Sequence, residues 1–186
     1  MRATCRALRE YGYADLTMQA IADEADRSKS LLHYHYDTKE GLLVAFLRYH
    51  LQRFADRVPG ADAADPAERL ELLVDMFLPV DDAEYEQFHR ALLELRTQAP
   101  YRAAFREQLG ENRAYVRRLL AETIAEGVTE GVFRDVDAEA TARFVLAALD
   151  GARSAHVTLG ERDDPEVIRE QLREYVLSDL RRGERA

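Results

Sequence analysis

The stretch from Thr17 to Lys39 constrains the fold most, because three side chains able to cap a helix follow one another closely, each ahead of an apolar run. Thr17 precedes Met18, Ile21 and Ala22; Ser28 precedes Leu31 and Leu32; Thr38 precedes Leu42, Leu43, Phe46 and Leu47. A Ser or Thr oxygen accepts a hydrogen bond from the N–H groups that a first helical turn leaves unpaired. Ala25-Asp26-Arg27, between the first two helices, leaves room only for a tight turn. Two short helices joined by about three residues and braced by a third make a helix-turn-helix unit. At about 100° per residue, Lys29, Ser30, His33 and Tyr34 share one arc of the second helix, and Leu31, Leu32 and His35 lie roughly opposite. The free arc offers an ammonium, a hydroxyl, an imidazole and a phenol, groups that bond phosphate oxygens and base edges on a helix that fits the major groove. Thr17, Ser28, Lys29, Ser30, His33, Tyr34, His35 and Lys39 are therefore the expected DNA contacts.

Gly12-Tyr13, Thr17, Ile21-Ala22, Ala25, Ser28-Lys29, Leu32, the run His33 to Tyr36, Lys39-Glu40 and Leu42-Leu43 stand in the order and spacing of a known pattern. In these residues the chain resembles the TetR (tetracycline repressor) family of transcription regulators, over about residues 8 to 47. Asp26 replaces the family's usual turn glycine, and Arg27 its usual turn aliphatic. The resemblance implies an all-α fold of about nine helices: a DNA-binding helix-turn-helix domain over 1–47, then a larger domain over 48–186 that binds an effector and dimerises. It further implies a repressor released from double-stranded operator DNA by a small, largely apolar effector.

The 186 residues are 47% hydrophobic, enough for a sizeable core. No run approaches the ~18 apolar residues of a membrane span, and the N-terminus lacks a signal-peptide pattern, so a cytoplasmic protein with no membrane partner is expected. Cys5 is the only cysteine; it lies on the stripe Met1, Cys5, Leu8 and reads as a small core residue. Residues 1 to 50 hold seven Lys/Arg and seven Asp/Glu, so the net charge of −9 arises entirely in the remainder. A neutral reader is unusual, since phosphate contacts normally carry much of the affinity. The alternative is a helical dimer that binds a small molecule or a protein and has weak or lost DNA binding. Lys29 and Lys39 are the only lysines among 26 basic residues. An acidic, lysine-poor surface suits a salt-rich cytoplasm, and a genomic composition bias yields the same arginine excess.

Downstream, the stripes and punctuation mark successive helices. Thr38 opens one that runs to about Val58 and stops at Pro59-Gly60, ahead of a polar loop over 60–65. Asp65-Pro66 starts the next, which Pro79 ends. Tyr85, Phe88, Leu92 and Leu95 mark an amphipathic helix, and Tyr101 to about Glu126 a longer one with a possible bend near Gly110 and Asn112. A loop is expected over 127–135. Asp137 caps a helix that stops at Gly160, and Asp164-Pro165 starts the last, with Ile168, Leu172, Val176 and Leu180 spaced by four. Tyr85, Phe88, His89, Tyr101, Phe105, Tyr115 and Phe144 are the candidate lining of an effector cavity, unless these aromatics are core. Ala148, Gly151, Ala152 and Ala155 form a small-residue ridge that, with Ile168, Leu172 and Val176, is the candidate homodimer interface; the other reading is packing within the chain. No zinc-type spacing, phosphate loop or nucleophile elbow occurs, so no metal, no cofactor and no enzymatic activity are expected.

Overall fold

The computed structural model describes residues 1–58, 65–78, 83–161, 164–177 and 180. Among these the chain is helical without a strand: α1 (Arg2–Asp15), α2 (Met18–Glu24), α3 (Lys29–His35), α4 (Lys39–Ala55), α5 (Pro66–Phe77), α6 (Ala83–Gln98), α7 (Ala103–Thr129), α8 (Ala138–Leu159) and α9 (Asp164–Gln171). From Leu172 to Leu177 the last helix widens into π-type winding. The expected stop at Pro59-Gly60, the loop after it and Pro79 lie outside the described residues.

Capping side chains start the helices where expected. Thr17 Oγ1 accepts from Ala20 N at 3.0 Å, Ser28 Oγ from Leu31 N at 3.2 Å and Thr38 Oγ1 from Gly41 N at 3.0 Å. Asp65 and Asp137 do the same for α5 and α8. Each such cap contributes about 1 kcal/mol. Gly160 ends α8 with φ 73°, the left-handed conformation a glycine adopts at least cost.

The chain divides into two compact units, one formed by 1–57 with 83–113 and the other by 58–82 with 114–186. The first therefore holds the helix-turn-helix together with α6 and the first part of α7. Its core joins Ala7 and Leu8 of α1, Met18 and Ile21 of α2, Leu42, Leu43, Phe46 and Leu47 of α4, Ala91 and Leu95 of α6, and Phe105 of α7. Cys5 packs against this core, as its place on the stripe requires. The second unit buries Leu70, Leu73 and Phe77 of α5, Leu120 and Ile124 of α7, and Val145, Leu146 and Leu149 of α8.

α7 departs from expectation at two glycines, and a third glycine breaks α1. α7 runs unbroken past Gly110 and Asn112 and continues through Gly127 to Thr129, so Gly127 opens no loop. Its missing side chain leaves room for the buried ring of Phe133, whose N–H returns to Gly127 O at 2.9 Å. Gly12 interrupts α1 with φ 63° and ψ 169°, and one further helical turn follows to Asp15.

Candidate nucleic-acid interface

Seven residues give α3 less than two turns, too short to persist unaided. It is held by the Ser28 cap and by Leu32, which with Tyr36 packs against the core of the first unit. No residue of α3 is buried. Lys29, Ser30, His33 and Tyr34 all point outward, with Tyr34 83% exposed. His35, placed on the opposite arc by the helical period, is exposed as well and meets the edge of the Tyr34 ring at 5.1 Å. Leu31, expected to pack, is 41% exposed. A helix this short, anchored through Leu32 alone, shows solvent most of its circumference. Thr17 and Ser28 are exposed too, but their oxygens already accept backbone N–H bonds at the helix starts.

Asp26 adopts φ 52°, the left-handed conformation that the turn demands and that Asp tolerates better than most residues. Arg27 follows with an exposed guanidinium that donates to Asp26 O at 2.8 Å. Since the side chain faces solvent, replacing an aliphatic there costs no packing. Arg27 also adds a cation beside the start of α3 that the helical arc did not include; its charge next to Ser28 was the available signal.

Lys39 departs from the expected set. Its Nζ donates to Tyr13 O at 3.0 Å and to Leu16 O at 2.8 Å, and lies 4.5 Å from the centre of the Tyr13 ring. Burial, with Arg102 nearby, lowers its pKa from the ordinary value. The ammonium braces the end of α1 and is turned away from the outward arc of α3.

The candidate cavity residues fall in both units. Phe88, His89, Tyr101 and Phe105 belong to the first unit, Tyr115 and Phe144 to the second. The side chain of Tyr85 lies outside the described ones. Phe105 is fully buried core, its ring edge-on to Tyr13 at 5.9 Å. Tyr101 is 86% exposed in the turn before α7, and Phe144 63% exposed on the outer face of α8. Tyr115 is half-buried beneath Arg118. Phe88 and buried His89 lie in an aromatic nest on α4 and α6, where His50 stacks on Phe88 at 4.1 Å and meets Phe46 edge-on at 4.5 Å. Burial first, and the charge of Arg53 next, lower the His50 pKa to about 4, so its imidazole is neutral at physiological pH. The spacing of His50 on α4 did not single it out. The second unit instead buries charge, with Arg69 paired to Glu126 and Arg153 paired to Asp150 and lying over the Phe77 ring at 5.6 Å.

The small-residue ridge divides. Gly151 is exposed, and a Cβ built on it would meet nothing within 4 Å. Ala148 and Ala155 are half-buried, and the exposed Phe144 and Leu159 continue the same face of α8. Ala152, in contrast, is buried inside the second unit because it sits about a quarter-turn from that face, and Leu172, beyond α9, is buried there too. Ile168 is half-buried, and the side chain of Val176 lies outside the described ones.

Comparison with known proteins agrees with this arrangement. The model for bacterial regulatory proteins of the tetR family matches residues 1–46, and that for the C-terminal part of BetI-type transcriptional repressors matches residues 66–181. A TetR transcription regulator of Haloarcula marismortui ATCC 43049 is 47% identical, with a TM-score of 0.85 over 94% of this chain and 92% of that one. A transcriptional regulator of Saccharomonospora viridis, solved in complex with choline, is 27% identical, with a TM-score of 0.81 over 94% of this chain and 92% of that one. The HTH-type transcriptional regulator BetI of Stenotrophomonas maltophilia (strain R551-3) is 36% identical over 78 residues, 40% of each chain. The BetI protein of Rhizobium meliloti (strain 1021) is 33% identical over 95 residues, 47% of each. The chain thus spans less than half the length of the curated relatives it matches. No helix among the described residues is long and apolar enough to cross a membrane.

Proposed function

The chain belongs to the TetR family of transcriptional regulators, which are not enzymes, and on that premise we propose that it is a homodimeric repressor released from operator DNA by a small effector. The observation that carries the DNA reading is the outward face of α3, where Lys29, Ser30, His33 and Tyr34 stand exposed on a helix anchored through Leu32. Residues 1–47 read DNA, with Lys29 and Arg27 on phosphates, His33, Tyr34 and His35 at base edges, and Thr17, Ser28 and Ser30 close by. Residues 48–186 take the effector and dimerise. Phe144, Ala148, Gly151, Ala155 and Leu159 form the exposed apolar face of α8 that a second copy covers, which brings two reading helices to half-sites about 34 to 36 Å apart.

Choline, found with the Saccharomonospora protein, is the first effector to test. Its methyl-covered ammonium satisfies the largely apolar surface expected from the sequence. An effector must bind the released state more tightly than the DNA-competent one, and a factor of about 100 corresponds to roughly 2.7 kcal/mol.

A mobility-shift assay on the DNA upstream of the chain's own gene tests the reading. Lys29→Ala should weaken binding to every sequence, whereas His33→Ala and Tyr34→Ala should also change which operator is preferred. Wild-type protein that shifts no upstream DNA would favour the module without DNA binding.

A further inference from the structure

The handover from α1 to α2 is braced by side chains of two other helices. Gly12 breaks α1, and a turn restarted inside a helix exposes N–H groups with no acceptor in the preceding turn. Leu16 N closes the new turn onto Gly12 O at 3.1 Å. The Tyr13 N–H is taken from outside, by the carboxylate of Glu94 on α6, with an N to Oε2 distance of 2.6 Å. Lys39 of α4 holds the other end through the carbonyls of Tyr13 and Leu16. The Tyr13 ring lies between Lys39 and the first residues of α7, with Phe105 against its edge and Arg102 at 5.7 Å. Arg102 in turn pairs with Glu40 of α4 at 2.9 Å. Five residues, 12 to 16, are thus gripped by α4, α6 and α7 just before Thr17 starts the helix-turn-helix.

An N–H bonded to a carboxylate is stronger than one bonded to a neutral oxygen, and this bond is partly buried. It is also the bond by which a side chain of α6 fixes the backbone of that joint directly. We propose that Glu94 is a positioning residue for DNA binding: its carboxylate sets the direction in which the chain leaves α1, and so the attitude of α2 and α3 relative to α6. A shift of α6 reaches the reading helix through this bond as well as through the core packing of Ala91 and Leu95. The assignment rests on the operator-binding reading above.

Three variants test it by fluorescence anisotropy on the upstream DNA, alongside melting temperature and amide hydrogen exchange. Glu94→Leu keeps the bulk and removes the acceptor; it should lower operator affinity at least about tenfold and speed exchange at Tyr13 N–H while the rest of α1 exchanges as before. Glu94→Gln retains an accepting oxygen and should restore most of the affinity. Should Glu94→Leu melt below the assay temperature, Glu94→Asp, one methylene shorter, should give an intermediate loss. Wild-type affinity in Glu94→Leu or Glu94→Asp, or an equal loss in the Leu and Gln variants, would overturn the assignment. Wild-type protein that binds no DNA overturns the operator reading itself and is told apart because the variants then have nothing to lose.

Discussion

Gly110 and Gly127 lie in the same helix, and alanine should affect stability with opposite sign at the two positions. In an exposed helix interior, replacing Gly by Ala stabilises by about 1 kcal/mol, because the folded backbone loses less entropy. A Cβ added at Gly110 would meet nothing within 4 Å, so this position should show that gain in full. At Gly127 the same methyl would lie 3.0 Å from Phe133 Cγ and closer still to Cδ2 and Cε2, far inside the ~3.5 Å of a normal carbon contact. Phe133 is buried, so its ring can only push its neighbours or leave. Overpacking costs about 1–3 kcal/mol and full exposure of the ring about as much. After the propensity gain, Gly127→Ala should be destabilised by up to about 2 kcal/mol. Guanidinium unfolding followed by circular dichroism should move the two midpoints apart, with unchanged slopes. Repeating Gly127→Ala in a Phe133→Ala background should remove the penalty. A stabilised Gly127→Ala in the wild-type background would refute the account of ring-on-glycine packing.

His50 gives a pH dependence of definite sign. With its pKa lowered to about 4, against an ordinary value of about 6.5, its contribution is complete above pH ~6.5 and is lost as pH falls toward ~4. Allowing for its partial solvent contact, about 2 kcal/mol should go; His50→Phe should flatten that part of the stability curve, and parallel curves would count against it. Gly151→Leu or Ala155→Arg should yield monomers by light scattering and abolish operator binding, while dimers of unchanged mass would remove this face of α8 from the interface. Asp26→Gly should gain up to about 1 kcal/mol at the left-handed turn, seen as a melting temperature a few degrees higher; a lower one would mean the Asp side chain itself holds the turn.

What the sequence made legible was local. Thr17, Ser28, Thr38, Asp65 and Asp137 cap helices because a side chain and the N–H two or three residues on are all the interaction needs. The outward arc of α3 followed from the helical period alone. Lys39 was misplaced because its acceptors lie 23 and 26 residues back, at the end of another helix. Glu94 meets Tyr13 across 81 residues, and no pattern within α6 marks it. The aromatics differ among themselves for a related reason. Periodicity shows that Phe105 and Phe144 each lie on an apolar stripe, but not that one faces its own core and the other the outside. Ala152 and Gly151 pose the same problem one residue apart.

Two of the positive charges of the first 47 residues are engaged within the protein. Arg6 is held by Glu24 and Lys39 by two carbonyls, while Arg27 and Lys29 flank the exposed helix and are the two phosphate contacts proposed above. Two phosphate contacts per reading head release few counterions, and log affinity should fall with log salt at a slope of only about −1.8 for each head. A fourfold rise in salt would then weaken each head about twelvefold, where a protein with six to ten such contacts loses a factor of about 10³ to 10⁵. Such a protein gains little from diffuse attraction to bulk DNA, and its hold on an operator, resting on base edges, persists across wide swings in ionic strength.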